Sequence, residues 1–438
     1  MARLCCLLFV EWILAAGVLA LGQTKITIAT VNNGDMIIMQ KLSREFEKQN
    51  PGIKLEWVIL EENLLRGRVT TDIAAKGGQF DILTIGNYEA PIWARRGWLM
   101  RLDGDLPASY ELDDVLKPIR DGLSWEGRLY SLPFYGESSF TFYRKDLFEK
   151  AGLKMPEQPT YEDIARFARA LHRPQSGIYG ICLRGKPGWG ENVAYVSTLV
   201  NTFGGRWFQE SWVPQLNTPE WHEAVRYYVD LLKNCGPPGT SSNGHNECRA
   251  LFATGKCAMW IDATVAAGFM FNPAESRVAD KVAFARAPIA RTANGAQWLW
   301  SWALAIPSTA RHVKEAKQFI QWSTSKDYIR LVARTNGWAA VPPGTRKSTY
   351  DQPEYRKSAP FAGLVLKAIL AADPARPTLH PVPYTGIQFV AIPEFQSIGT
   401  QVGQLLAAAL AGSMTVEQAL QSAQSSVERI MRRAGYSK

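Results

Sequence analysis

The sequence predicts an α/β protein built as two lobes, and three observations carry that prediction. The 438 residues, 46% of them hydrophobic, exceed what a single core organises. The first part of the chain alternates strand and helix patterns with short connections, which argues for a parallel sheet with crossover helices. No long low-complexity or Pro/Gly/Ser tract divides the chain, so several strand crossings rather than a flexible linker should join the lobes.

Taken in order, residues 25–30 alternate as a strand. Asn32, Asn33, Gly34 and Asp35 form a turn and helix cap, Ile38, Leu42 and Phe46 follow at helical spacing, and Asn50-Pro51-Gly52 stops the helix. Residues 54–60 are a second strand, Leu65, Val69 and Ile73 mark a second helix closed by Gly77-Gly78, and residues 81–85 are a third strand. In open sheets of this kind ligands bind beyond the carboxyl ends of the strands. The loops there are residues 32–35, 61–63 and 87–89, all polar, and none has the spacing of a phosphate loop. Asp35 and Asn63 serve equally well as helix caps.

Residues 132–147 are the stretch around which the rest is organised. An X-Pro step extends Leu132, Tyr135, Glu137 and Ser138 surround Gly136, Phe140 and Phe142 alternate, and a helix starts at Asp146. This pattern suits a hinge that also touches a ligand, with a surface loop before an ordinary strand as the alternative. Beyond it, residues 161–171 read as a helix and 180–183 as strand-like. The Gly- and Pro-rich segment 184–192 presents Arg184, Trp189 and Asn192 from a tight loop. Helices follow at 193–201 and 219–233. Residues 259–262 end a short strand with Trp260 and Asp262 on one face, and residues 263–269 are helical. Residues 283–289 form a strand with a proline exit, and Trp298, Trp300 and Trp302 alternate before a further apolar strand. An amphipathic helix spans 313–323, residues 338–343 look like a third crossing, and Thr415 with Gln418 matches a capping box in a helical tail.

Residues 1–22 have the pattern of a secretory signal: Arg3, an apolar run and small residues before Gln23, with Glu11 as a departure. An exported chain is expected. The net charge of +9 is spread without a basic block, which counts against nucleic-acid binding. Of the four cysteines beyond residue 22, Cys235 and Cys248 bracket a short polar loop and suit a disulfide in an oxidising compartment, two free thiols being the alternative. Cys182 and Cys257 read as core residues.

The five histidines lack metal-site spacing, and no nucleophile elbow occurs, so neither a metal, a cofactor nor serine hydrolysis is expected. Carboxylates, amides, an Arg and flat indoles together suit a neutral polyhydroxy ligand. Glu137 and Asp262 as a glycosidase pair is the enzymatic alternative.

The segments 30–36, 78–82, 132–138, 183–192, 259–264 and 337–342 resemble those of extracellular solute-binding proteins of ATP-binding-cassette sugar importers, and more narrowly the sorbitol/mannitol-type polyol-binding group. The Gly136-Glu137-Ser138 and 184–191 stretches are the more specific ones. The resemblance implies the two-lobed periplasmic-binding-protein fold of type II, sugar-binding cluster, with three hinge crossings. One lobe would comprise residues 23–134 plus 288–340, the other 135–287 plus 341–438. It implies a monomer in the periplasm that delivers a polyol or related monosaccharide to membrane permease subunits without chemistry on it, a disaccharide being the alternative ligand. By position the implied binding residues are Asn33, Asp35, Asn87, Glu89, Tyr135, Glu137, Ser138, Arg184, Trp189, Trp260, Asp262, Trp300 and Trp302. Glu137, Arg184 and Asp262 would hold hydroxyls, with Trp189, Trp260 and one of the later indoles against the carbon chain.

Overall fold

The computed structural model describes residues 23–436, so the signal segment expected at 1–22 lies outside the described residues. In chain order the regular elements are β1 (Thr24–Val31), α1 (Gly34–Gln49), β2 (Ile53–Leu60), α2 (Glu62–Ala74), β3 (Ile82–Gly86), α3 (Glu89–Arg95), α4 (Lys117–Gly122), the two-residue strands β4 (Ser124–Trp125) and β5 (Arg128–Leu129), β6 (Ser131–Glu137) and β7 (Ser139–Arg144). Then come α5 (Lys145–Lys150), α6 (Tyr161–Leu171), α7 (Asn192–Thr202), α8 (Pro219–Cys235), α9 (His245–Ala253), β8 (Met259–Ala263), α10 (Ala267–Met270), β9 (Val282–Arg286) and β10 (Trp300–Ala305). Helices complete the chain: α11 (Val313–Ser323), α12 (Lys326–Asn336), α13 (Lys347–Asp351), α14 (Pro353–Ser358), α15 (Ala362–Ala371), α16 (Phe395–Ala411) and α17 (Val416–Arg433).

Two sheets organise the two lobes. The larger has the order β2-β1-β3-β10-β6, the smaller β8-β7-β9. The parallel pairing expected at the start holds for β1 with β2 and β3, whereas β10 runs antiparallel to both β3 and β6, so the sheet is mixed. Segment 180–183 forms no strand and instead bridges to the chain at and before β8 through Tyr179 and Cys182. In α1 the buried stripe is Met36, Met39, Ser43 and Phe46, with Ile38 and Leu42 half-buried beside it. Asn33 rather than Asp35 caps this helix, its side chain accepting from Met36 N at 2.9 Å, and Glu61 rather than Asn63 caps α2.

The chain passes between the lobes three times, the last time to bring α16 and α17 against α7 and α8. At the first crossing β6 ends in the larger sheet and β7 begins in the smaller with only Ser138 between them. Ser138 is pinned reciprocally, its N–H donating to Thr264 Oγ1 at 3.0 Å and its carbonyl accepting from Thr264 N at 2.8 Å. The second crossing joins β9 to β10. The third follows α12, where Gly136 N donates to Pro343 O at 2.9 Å and Leu116 N to Thr345 O at 2.8 Å. Gly136 and Gly344 face each other at this point. A Cβ on Gly136 would lie 2.4 Å from Gly344 O, and one on Gly344, whose φ is +73°, would lie 2.0 Å from Gly136 O. Gly136 thus serves close approach as well as hinge freedom.

The expected Cys235–Cys248 disulfide is absent: both are buried free thiols, as are Cys182 and Cys257. The two residues are committed to different neighbours. Cys235 closes α8, its carbonyl accepting from Ile181 N, while Cys248 lies inside α9 with its carbonyl against Cys182 Sγ.

Candidate functional site

A cavity of about 190 Å³ lies between the lobes. That is below the roughly 300–1,000 Å³ of sites for drug-sized ligands, so it suits a small solute. Its walls come from the carboxyl end of β1 with the start of α1, the start of α2, the end of β6, segment 184–194, the start of α9, the β8–α10 turn and the indoles around β10. Eight of the thirteen sequence-derived candidates line it: Asn33, Asp35, Tyr135, Glu137, Arg184, Trp189, Trp300 and Trp302. Trp298 joins them, so all three alternating indoles face the cavity.

The other five sit behind this wall. Asn87 ties the end of β3 to β10, donating to Leu299 O at 3.0 Å and accepting from Ser301 N at 3.2 Å. Glu89 accepts from Gly86 N at 2.9 Å and pairs with Arg66. Ser138 is the pinned crossing residue. Trp260 stacks on Phe142 with centroids 4.8 Å apart and is fully buried. Trp260 and Asp262 do share a face, since Trp260 Nε1 donates to Asp262 Oδ2 at 3.1 Å, but that face turns into the lobe.

Asp262 therefore acts on the cavity through Arg184. Its oxygens accept from Arg184 Nε at 2.9 Å and Nη2 at 2.5 Å, and from Ala263 N at 2.6 Å, with His245 Nδ1 2.9 Å away. Burial alone would raise its pKa, but Arg184 and His245 overcome that and hold the carboxyl well below the usual range. A permanently ionised, saturated carboxylate outside the cavity wall cannot pair with Glu137 as a glycosidase acid and nucleophile, so the enzymatic alternative loses its geometry. Arg184, further fixed by Gly190 O at 2.6 Å, presents its remaining N–H capacity to the cavity.

Glu137 is different. It is buried in the wall, and its carboxylate meets no side-chain donor among the described residues. Burial pushes its pKa well above the usual carboxylate value, opposed by Arg184 and reinforced by Asp262. Burial likewise raises Asp35 to about 7 against the pull of Arg249, and Glu191 to about 8 against that of Arg184. Tyr135 OH accepts from Asn33 Nδ2 at 3.0 Å, and Trp298 Nε1 is a buried donor with no partner among the described residues. The wall thus offers acceptors, donors and apolar ring faces together.

Arg66 is the largest element that sequence reasoning missed. Its guanidinium lies 3.9 Å from the Trp189 ring centroid, 5.0 Å from Trp300 and 4.8 Å from Trp302, held by Glu62 at 2.9 Å and by Glu89. The spacing of Glu62 and Arg66, four apart on a helix, is the signal that could have marked it. His245, Arg249 and Gln388 also line the cavity, from segments with no local motif.

The titrations give a stability prediction. Asp35 and Glu191 have ordinary values of 3.8 and 4.5 and folded values of about 7 and about 8. The folded state therefore holds extra protons between about pH 4 and pH 8, so these groups favour folding at the acid end and lose that contribution as pH rises. Asp262 works oppositely, but only below its ordinary 3.8. Calorimetry of the ligand-free protein should give a higher Tm at pH 5 than at pH 8.

Among the described residues no helix is long and apolar enough to cross a membrane. The family described as bacterial extracellular solute-binding protein matches residues 33–329. A mannitol-binding protein of Pseudomonas aeruginosa is 58% identical over 425 residues, 97% of each chain. An ABC transporter solute-binding protein of Agrobacterium vitis S4, solved with bound D-mannitol, is 59% identical with a TM-score of 0.93, over 94% of this chain and all of that one. A second, from Agrobacterium radiobacter K84 in complex with ribitol, is 25% identical with a TM-score of 0.83, over 94% of this chain and 99% of that one. The chain belongs to the bacterial extracellular solute-binding protein family.

Proposed function

We propose that the chain binds a linear sugar alcohol of the mannitol type between its lobes and delivers it to the permease of an ABC importer, without chemistry on the ligand. The observation that carries this is the 59% identity, over the whole of that chain, to a protein holding D-mannitol. The cavity chemistry supports it. Glu137 is an unengaged carboxyl group able to exchange hydrogen bonds with hydroxyls, Arg184 is a donor aimed by Asp262, and Trp189, Trp298, Trp300 and Trp302 offer ring surface to C–H groups. Asn33, Asp35 and Tyr135 complete the ligand-facing set in this reading, while Asn87, Glu89, Ser138, Trp260 and Asp262 support the wall. The expected boundaries at 134/135 (between 23–134 plus 288–340 and 135–287 plus 341–438) and 340/341 shift in this reading. β6 pairs with β10 through Glu137, and Thr345 and Arg346 are still bonded beside Leu116 and Val115, so we place the first boundary at Ser138 and the last beyond Arg346.

Calorimetry against mannitol, glucitol, ribitol and maltose tests the reading. Saturable binding of an alditol and none of maltose is expected. Absence of alditol binding at millimolar concentration would overturn it. Glu137→Gln, which replaces a carboxyl of raised pKa by a neutral amide, should cost the alditol about 0.5–1.5 kcal/mol of binding, the range for a hydrogen bond between neutral groups.

A further inference from the structure

The rim of the cavity carries contacts between the lobes that do not involve its floor. Segment 184–192 belongs to the lobe of the smaller sheet, anchored there by Arg184 on Asp262, by Asn192 Nδ2 donating to Gly403 O at 2.8 Å, and by Glu191 accepting from His245 N at 3.1 Å. The first turn of α2 belongs to the other lobe, packed on β1 and β2. The two meet closely. Lys186 Nζ lies 2.8 Å from Glu61 Oε1, and Asn63 Nδ2 donates to Pro187 O at 3.3 Å. A Cβ on Gly188 would lie 2.4 Å from Asn63 Oδ1, and one on Gly190 only 1.8 Å from Glu62 Oε1. Glu62 has little freedom to retreat, because the buried Arg66 holds the same oxygen at 2.9 Å.

We propose that residues 186–190 and the first turn of α2 form an interlock between the lobes, in which Gly188 and Gly190 are the seats for Asn63 and Glu62. The fit of these seats sets how far the closed state is populated, and so sets affinity and residence time through protein–protein contact. This rests on the sugar-alcohol reading above for the choice of ligand. Apparent affinity scales with the population of the binding-competent state. A single methyl group in a seat therefore lowers the closed population, at Gly188 without touching the cavity lining and at Gly190 next to it, and a shorter partner side chain makes room for it.

The test uses the full chain as exported, D-mannitol as the probe, stopped-flow kinetics, and spin-label distances across the rim with and without ligand. Gly190→Ala should weaken mannitol binding at least about tenfold through faster dissociation and deplete the closed population. Adding Glu62→Asp, which keeps the charge on Arg66 but withdraws it by one methylene, should recover most of that loss. Lys186→Ala, at a half-exposed pair, should weaken binding by only about two- to fivefold. Unchanged dissociation in Gly190→Ala, or no recovery with Glu62→Asp, would overturn the proposal. If Gly190→Ala does not fold, a cycle of Lys186→Ala and Glu61→Ala decides: coupled effects on dissociation support the interlock, additive ones overturn it. If the unaltered protein binds no mannitol, the ligand reading fails by itself. The spin-label distances of the ligand-free protein then decide, a closed fraction lowered by Gly190→Ala supporting the interlock and an unchanged one overturning it.

Discussion

Asp262→Ala is expected to destabilise the protein by about 3–5 kcal/mol, the cost of leaving a buried charge without its partner. Arg184, His245 and Trp260 all direct polar hydrogens or ring nitrogens at this one carboxylate, which is fully buried. Without it the guanidinium keeps its charge but loses two of the bonds that fix its plane, that to Gly190 O remaining. Binding of a sugar alcohol should fall by about 10–100-fold, because the donor in the wall is no longer aimed. Asp262→Asn separates the two effects. It keeps the shape but sets an amide N–H against Arg184, so affinity should fall nearly as far. Urea unfolding and calorimetry on the same samples check both. A stability change below about 1 kcal/mol would contradict the placement of Asp262 as the anchor of Arg184.

Gly344→Ala is expected to cost about 2–5 kcal/mol. The left-handed backbone accounts for roughly 1–2 kcal/mol with any L side chain, and overpacking adds about 1–3 kcal/mol. The overlap is with the backbone of Gly136, at 2.0 Å from its carbonyl oxygen, so no side-chain rearrangement relieves it. Because Gly136 precedes Glu137 on β6, the displacement is delivered to the cavity wall. The variant should therefore lose ligand affinity as well as stability, whereas Gly152→Ala, also at positive φ but with open space around it, should lose a little stability alone.

The order of elements was legible where burial follows a simple period. β1, β2 and β3 and the two helices between them are visible as period-two and helical patterns, and the first crossing as a proline step leading through Gly136. The antiparallel return of β10 was not legible, since strand direction is set by contacts more than 200 residues apart in sequence, such as Trp302 with Gly86. The site divided along the same line. Asn33, Tyr135, Glu137 and Arg184 sit on turns or strand ends whose polar residues stand out from an apolar background. Arg66 sits next to Leu65 on the buried face of α2, where a pattern built on apolarity reads only the Leu. Trp260 and Asp262 were placed on a common face correctly, but two-residue periodicity does not say whether that face meets a cavity or a core. The cysteines show the same limit. A loop that brings Cys235 and Cys248 near in sequence leaves them with separate neighbours, the carbonyl of Cys235 bonded to Ile181 N and that of Cys248 set against Cys182 Sγ.

The indole lining of the cavity has an optical consequence. Of the fifteen tryptophans in the chain, Trp189, Trp298, Trp300 and Trp302 line the cavity described above, each at most 5% exposed. A solute entering there replaces water beside four neighbouring chromophores at once, and three of them already stand within 5.6 Å of another indole of the set or 5.0 Å of the Arg66 charge. The protein therefore carries its own emission reporter, with no label needed, and its ultraviolet fluorescence should register occupancy of the cleft directly.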